Sequence, residues 1–343
     1  MRTACWSWLF VLTLTATIAG AAEPPQSEAP KFELPKFELH DGDRVVFLGN
    51  TLIEREQKYG YWELMLTMAW PERNVTFRNL GWSGDTVWGE SRAGFGTQAD
   101  GFKALVNQVN AAKPTVIFVG YGNVEAFDGE AGLPKFIDGY NKLLDELEKA
   151  KARIAVLGPI AQMETSSPNP EAKRYNDSVR SYSDAIAKVA LARKHLFFPI
   201  DIRHVVAQWD LKETLTTNGM DWNELGYSAG CCVLELNLSK HRPQVYVSSE
   251  QIPNVSRAAL EATQRQTDLA KALRQRIVHK NELFFHRWRP QNETYLFGFR
   301  KHEQGKNAEE VFAFDPLIEA EEKKIAELRV RLAAEMKEAN DAK

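Results

Sequence analysis

The sequence predicts an α/β protein built from βαβ units, with a parallel sheet covered by helices on both faces. Short runs rich in β-branched and aromatic residues alternate with segments of helical length. The runs are apolar almost throughout, as is typical of strands buried on both sides. The composition, 44% hydrophobic and 26% charged, is that of an ordinary globular protein.

Five apolar runs are predicted to be strands. In chain order they are residues 44–48, 75–80, 115–119, 153–157 and the weaker 196–200. Helices are predicted between and after them at 56–69, 102–112, 133–150, 171–194 and 224–238. In such folds ligands bind beyond the carboxyl ends of the strands, so the loops after these runs are where functional residues are expected.

Both ends of the chain differ from this pattern. Residues 1–22 combine Arg2, a charge-free apolar run and the small residues Ala19-Gly20-Ala21, which predicts a secretory signal peptide. An uncleaved anchor is the alternative, although the run is short for about 30 Å of hydrocarbon. We therefore expect a secreted or periplasmic protein with no membrane span after cleavage. Residues 23–40 contain four prolines and are predicted to be a linker.

Residues 41–242 are predicted to form the α/β domain, and residues 243–343 a helical and aromatic extension. Within the extension, 256–280 is predicted to be a polar helix, 281–315 irregular and 317–336 a charged helix. We expect the extension to pack against the α/β domain. A protein partner for the last helix is an open alternative, although a charged face is more often simply solvated.

The charge and cysteine content exclude several classes of protein. The 43 Lys and Arg residues nearly balance the 46 Asp and Glu residues, so nothing suggests a nucleic-acid partner. After signal cleavage Cys231 and Cys232 remain, and they are expected to be small apolar residues in a buried helix. No cofactor is expected, because Gly120-Tyr121-Gly122 lacks the third glycine of a dinucleotide motif. No zinc-binding spacing of His and Cys occurs, so we expect no metal.

Polar and glycine-rich blocks follow the predicted strands. They are Gly49-Asn50-Thr51-Leu52, Gly81-Trp82-Ser83-Gly84-Asp85-Thr86, Gly120-Tyr121-Gly122-Asn123-Val124-Glu125 and Asn218-Gly219-Met220-Asp221. In this order they resemble the four blocks of the SGNH/GDSL hydrolases, a family of esterases, lipases and carbohydrate deacetylases. The resemblance covers roughly residues 41–240. It implies a flavodoxin-like three-layer α/β/α sandwich with a five-stranded parallel sheet, and hydrolysis of acyl or carbohydrate esters.

The chemistry of that family needs a nucleophilic serine, a histidine base with an orienting aspartate, and oxyanion donors. The resemblance puts Thr51 at the serine position, with Asn50 before it, and Gly84 at the oxyanion glycine. Asp221 falls at the histidine position and Asn218 at the aspartate position. An aspartate is a poorly matched base for an alcohol, so the usual mechanism is not expected.

The oxyanion asparagine of the family falls on Val124, which cannot donate a hydrogen bond; the neighbouring Asn123 substitutes only if the loop shifts in register. Asp85, Glu125 and Asp221 converge either as ligands of a hard cation or, as we expect, as a solvated carboxylate cluster. His286 in the extension is the most interesting of the seven histidines as a replacement base, although a packing role is the commoner case. Aromatic residues expected near the pocket are Trp82, Trp88, Tyr121, Phe127 and Trp222.

Two functions therefore remain open. The first is an ester hydrolase of altered mechanism, with Thr51 as nucleophile, Asp221 as weak base, and the Thr51 and Gly84 N–H groups as oxyanion donors. The second is a catalytically inactive module that binds a small-molecule or carbohydrate ester, or a protein, in the same cleft. The expected binding residues are Asn50, Asp85, Asn123, Glu125 and Asn218.

Overall fold

The structure is a computed structural model that describes residues 37–163, 170–203, 214–239, 267–303 and 307–341. The predicted signal peptide at 1–22, most of the predicted linker at 23–40 and the predicted domain boundary at 242–243 lie outside these residues, so these remain predictions. Residues 37–40 are described, and they belong to the folded body. Leu39 is fully buried, and the Phe37 ring packs on those of Phe118 and Phe198.

The five predicted strands form one sheet. They are β1 (Arg44–Gly49), β2 (Thr76–Gly81), β3 (Val116–Gly120), β4 (Arg153–Leu157) and β5 (Leu196–Phe198). Their order is β2-β1-β3-β4-β5, and every neighbouring pair is parallel. This is the flavodoxin-like order, in which the chain reverses direction across the sheet between β1 and β3, and ligands bind at that point. The predicted fold class is confirmed.

The helices lie on both faces of the sheet and in the extension. They are α1 (Thr51–Glu56), α2 (Tyr61–Ala69), α3 (Gln98–Ala112), α4 (Gly129–Glu148), α5 (Pro170–Ala192), α6 (Glu224–Ser239), α7 (Asp268–Trp288), α8 (Glu293–Leu296) and α9 (Phe314–Asp341). The prediction of one helix over 56–69 is wrong, because Gly60, at φ +66°, separates α1 from α2.

Alternate residues of each strand enter different cores. On β3, Val116 and Phe118 pack with α1, α2 and α6, whereas Ile117 and Val119 pack with α3, α4 and α5. Strand side chains point alternately to the two faces, so a strand without polar residues can fill both cores. Cys231 and Cys232 are both buried residues of α6, as predicted.

The extension packs against the β2 edge of the domain through α7 and α9. Leu273 and Ile277 of α7 share an apolar cluster with Leu64 of α2 and Ile325 of α9. The prediction of an irregular segment from 281 is wrong, because α7 continues to Trp288. Its buried face runs through 270, 273, 277, 280, 281 and 284 at helical spacing, and two of these positions hold Lys280 and Asn281.

A buried ion pair anchors α7. The Lys280 ammonium lies 2.8 Å from each carboxylate oxygen of Glu63 and donates to the carbonyl of Phe77 at 3.1 Å. Both side chains are nearly inaccessible to solvent. Among the described helices, none is both long and apolar enough to cross a membrane.

Candidate binding and active site

The ends of the central strands leave room for α1 at the carboxyl edge of the sheet. Gly49, Gly81 and Gly120 lie opposite one another in register at this edge. A Cβ atom on Gly81 would lie 2.2 Å from the backbone nitrogen of Glu54, and one on Gly49 would lie 2.3 Å from the Gly120 carbonyl oxygen. Glycine at these positions lets α1 begin directly after β1, which places Thr51 above the sheet.

Hydrogen bonds from three elements fix α1. Asn50 caps the helix by accepting from the Leu52 N–H at 3.3 Å. The Tyr227 hydroxyl of α6 donates to the Leu52 carbonyl at 2.7 Å, and the Asn79 amide of β2 donates to the Ile53 carbonyl at 2.6 Å. The side chain at position 51 therefore projects from a well-anchored helix start.

Thr51 and Gly84 meet as the resemblance implies. The Gly84 N–H donates to Thr51 Oγ1 at 3.1 Å, and Gly84 is held at φ +71°, a conformation that favours glycine. Across the described residues, this is the one hydrogen bond of the Thr51 hydroxyl. The Gly84 N–H thus lies beside Thr51, and no base of the described residues accepts the Thr51 proton.

Asp221 is engaged elsewhere. Its Oδ2 accepts from Arg55 Nη1 at 2.9 Å and from the Asn218 amide at 3.1 Å. The Asn218 side-chain oxygen in turn accepts from the backbone N–H groups of Met220 and Asp221, at 3.0 and 2.8 Å. Asn218 therefore shapes the loop and helps to hold the Asp221 carboxylate on Arg55. In this arrangement Asp221 is an ion-pair partner of Arg55 and not a base for Thr51.

Asn123 is hydrogen-bonded to the segments that follow β4. Its amide donates to the Ile160 carbonyl at 2.5 Å, and its backbone carbonyl accepts from the Tyr175 hydroxyl at 2.9 Å. These bonds tie the loop after β3 to the loop after β4. The Asn123 amide nitrogen also donates to the Tyr175 hydroxyl at 3.3 Å, so both of its hydrogens have partners. The alternative that Asn123 replaces the oxyanion asparagine therefore has no support in this arrangement.

The expected solvated carboxylate cluster is wrong, because Asp85 and Glu125 are buried. Asp85 Oδ2 accepts from Arg92 Nε at 2.7 Å and from the Tyr121 hydroxyl at 3.0 Å. Burial, reinforced by the Asp85 carboxylate, raises the pKa of Tyr121 well above its usual value. Within the described ranges no group of three or more His, Cys, Asp or Glu residues is arranged to hold a metal ion.

Glu125 joins two of the strand-end loops. Its carboxylate oxygens accept from the Val87 N–H at 2.9 Å and from the Gly122 N–H at 3.0 Å. Burial raises the pKa of Glu125 to about 7, despite the two backbone donors. Asp85 and Glu125 thus support the loops after β2 and β3, and neither lines the cleft described next.

A cleft of about 140 Å³ opens over Thr51, and we call it the Thr51 cleft. Its polar lining comes from Asn50, Thr51, Asn123 and Asp221. Its remaining lining comes from Leu52, Val124, Phe127, Ile160, Met220, Trp222 and Tyr227. Two of the five aromatic residues expected at the pocket, Phe127 and Trp222, are therefore at this cleft. Phe127 is 67% exposed and its ring packs on that of Tyr175 at 4.4 Å.

The extension supplies an arginine, not a histidine, beside this site. The His286 ring contacts those of Phe285 and Phe314. Arg289, which follows α7, instead pairs with Glu54 of α1, and its guanidinium lies 3.9 Å from the ring centre of Trp82. Sequence reasoning missed Arg289. The available signal was that Arg289 directly follows the aromatic-rich residues 284–288.

Among the comparisons with known proteins, the search of solved structures gives matches. No family model and no curated protein matches the sequence. Among solved structures, a gut microbial diltiazem-metabolizing enzyme is similar over 87% of this chain and 97% of its own, at TM-score 0.57 and 13% identity. An acetylxylan esterase from Geobacillus stearothermophilus, solved as a catalytic mutant, is similar over 59% and 97%, at TM-score 0.46 and 14% identity.

A lipolytic protein of the G-D-S-L family from Veillonella parvula is similar over 55% of this chain and 93% of its own, at TM-score 0.39 and 14% identity. Of these three structures, the first alone exceeds a TM-score of 0.5, and at its level of identity it shows a shared fold and nothing more. The strand order and the first of these structures confirm the α/β fold with a five-stranded parallel sheet that the resemblance implies.

Proposed function

We propose that this chain binds a small ester, of which a carbohydrate ester is the preferred class, in the Thr51 cleft without hydrolysing it by a serine-hydrolase mechanism. The observation that carries the proposal is the state of Asp221. The residue at the position of the catalytic histidine is held by Arg55 and Asn218. The Thr51 hydroxyl accepts a hydrogen bond from Gly84 and, within the described residues, donates to no base.

The shape of the cleft supports a ligand with one apolar face. Phe127 presents a largely exposed ring at one side, and Met220 and Trp222 lie in the lining. Aromatic and apolar walls with a few polar groups are typical of sites that bind small molecules, and a flat ring suits a sugar face. The Thr51 hydroxyl, held by the Gly84 N–H, supplies a polar contact for an ester carbonyl.

Binding of acetylated xylo-oligosaccharides, measured by calorimetry, tests this proposal. Phe127→Ala is expected to weaken the affinity about fivefold, since removing an exposed stacking face costs about 1 kcal/mol. Phe95→Ala is the matched control: Phe95 is 86% exposed, but it contacts Phe299 and does not line the cleft. Equal losses in the two variants, or no binding by the wild type, would count against the proposal.

A second candidate function is slow ester hydrolysis with Thr51 as nucleophile. The contact between the Gly84 N–H and Thr51 Oγ1 favours it, because this donor is the part of an oxyanion hole that the chain retains. Hydrolysis of p-nitrophenyl acetate that Thr51→Ala abolishes would favour this candidate. Equal rates for wild type and variant would eliminate it.

We further propose that the protein is exported through a signal peptide at residues 1–22. The apolar run and the small residues before Ala22 support this. N-terminal sequencing of the protein recovered from outside the cytoplasm tests it, and a mature chain that begins near residue 22 or 23 is the expected result. An intact N-terminus beginning at Met1 would contradict the proposal.

A further inference from the structure

The hydrogen bond between Gly84 and Thr51 is connected by direct contacts to the C-terminal extension. Glu54 lies one helical turn after Thr51 on α1. Its carboxylate accepts from the Ser83 backbone N–H at 2.7 Å and from the Ser83 hydroxyl at 2.8 Å. Ser83 directly precedes Gly84, so Glu54 fixes the peptide that presents the Gly84 N–H.

Arg289 holds Glu54 from the other side. Its Nη1 donates to Glu54 Oε2, the oxygen that also accepts from the Ser83 N–H. Its guanidinium packs against Trp82, the residue before Ser83, at 3.9 Å from the ring centre. One arginine therefore contacts both the carboxylate and the aromatic ring that flank the Ser83-Gly84 turn. A charge-assisted bond and a cation–π contact are among the stronger polar interactions of a partly exposed site.

The residues on either side of the turn are anchored independently, since the Trp82 N–H donates to the Gly49 carbonyl at 2.9 Å and the Asp85 N–H to the Trp82 carbonyl at 3.0 Å. Ser83 and Gly84 themselves are less well packed. Ser83 and Gly84 are both exposed, and the space where a Gly84 side chain would lie is open apart from Ser91 Oγ at 3.6 Å. The Arg289 side chain is 29% exposed and that of Glu54 is 14% exposed, so the pair is more shielded than the turn it holds. Exposed segments with few packing contacts undergo local unfolding easily unless hydrogen bonds stabilise them.

We propose that Arg289 is a positioning residue for the Thr51 cleft. The extension orders the Ser83-Gly84 turn through Glu54 and Trp82, and so keeps the Gly84 N–H on the Thr51 hydroxyl, which lines the cleft and contacts the ligand. The part that concerns the ligand rests on the proposed binding function. The ordering of the turn does not, because it concerns two backbone amides of the unliganded protein. The extension is thereby part of the site, although its helices lie at the β2 edge.

Amide hydrogen exchange of the unliganded full chain, followed by NMR, tests the positioning role. Arg289→Ala is expected to speed exchange of the Ser83 and Gly84 amides about tenfold or more, while amides of α4 keep their protection. Arg289→Lys keeps the charge but loses the flat face against Trp82, so an intermediate rate is expected. Arg300→Ala is the matched control: Arg300 pairs with Glu303 and contacts Tyr295 within the extension.

Glu54→Gln gives an independent test, and it replaces Arg289→Ala if that variant does not fold. It is expected to speed exchange of the same two amides. If Arg289 acts through Glu54, the double variant exchanges no more than about twofold faster than the faster single variant. Unchanged Ser83 and Gly84 exchange in both single variants would overturn the proposal, as would full additivity in the double variant.

Ligand binding is the second readout. With acetylated xylo-oligosaccharide as the probe, Arg289→Ala is expected to weaken binding about five- to tenfold and Arg300→Ala not at all. Absence of binding by the wild type would refute the proposed function and leave the exchange result to decide the positioning role. Faster exchange of the Gly84 amide with unchanged affinity would overturn the claim that this N–H serves the ligand.

Discussion

The buried Glu56, at the end of the helix that carries Thr51, makes the stability of the fold depend on pH. Its side chain is 1% exposed, and Oε1 accepts from the Trp62 N–H at 2.8 Å. Burial, reinforced by the Glu63 carboxylate, raises the pKa of Glu56 from 4.5 to about 7. Between these values the folded state retains a proton that the unfolded state has released, so the free energy of unfolding decreases as pH rises.

The size of the effect follows from the two pKa values. The difference between 4.5 and about 7, at about 1.4 kcal/mol for each pH unit, corresponds to about 3 kcal/mol once the pH exceeds both. Glu56→Gln removes the titration and keeps an acceptor for the Trp62 N–H. We therefore expect the decrease in unfolding free energy between pH 4.5 and 8 to be about 3 kcal/mol smaller in the variant than in the wild type.

Urea denaturation at a series of pH values measures the pH dependence of the unfolding free energy directly. Glu130→Gln is the control, because Glu130 is an exposed residue of α4. It is expected to leave the pH dependence of the wild type unchanged. Identical pH dependence in the wild type and Glu56→Gln would refute the reasoning, since it would mean that burial of this carboxyl does not perturb its protonation.

Three further predictions concern the site and its supports. A fourfold variant would restore the side chains that the resemblance implies, through Thr51→Ser, Val124→Asn, Asn218→Asp and Asp221→His. It should hydrolyse p-nitrophenyl acetate at least about 10³-fold faster than the wild type, whereas Thr51→Ser alone should not. No gain in initial rate would contradict the inferred placement of the blocks. Lys280→Met leaves Glu63 buried without its partner and should cost about 3–5 kcal/mol in urea denaturation at pH 7. Lys323→Met, at the exposed surface of α9, should cost less than about 1 kcal/mol. Equal losses would disprove the anchoring role. Gly81→Ala should displace α1, because the new Cβ would lie 2.2 Å from the Glu54 nitrogen. The variant should therefore have a lower Tm and a lower ligand affinity than the wild type. A Tm equal to that of the wild type would contradict this close approach of α1 to Gly81.

The alternation of apolar runs and helical segments was sufficient to predict the strands and the three layers. The runs at 44–48, 115–119 and 153–157 are apolar after their first residue because both faces of the sheet are covered, which gives a strong local signal. The run at 75–80 is more polar, and its strand lies at the edge of the sheet. The order of the strands followed from the resemblance rather than from any single run. The glycines that end β1, β2 and β3 were visible in the sequence, although the contacts that require them are between distant segments.

The site was only partly predictable, because the partners of its side chains come from distant parts of the chain. Asp221 was identified at the histidine position, but Arg55, which holds it, is 166 residues away. Asp85 and Glu125 resembled solvent-exposed acids even though Arg92 and Gly122, which bond to them, lie only seven and three residues away. Nothing in the local pattern indicated that these two acids are buried. The continuation of α7 was missed because its buried face includes Lys280, whose partner Glu63 lies on α2.

The central claim is that the Thr51 cleft binds an ester without hydrolysing it. Titrating the wild-type protein with acetylated xylo-oligosaccharide in a calorimeter, and following released acetate in the same samples by NMR, tests it most directly. The account predicts saturable binding that Phe127→Ala weakens, with no acetate beyond that of a protein-free control. Acetate released by the wild type and not by Thr51→Ala would contradict it.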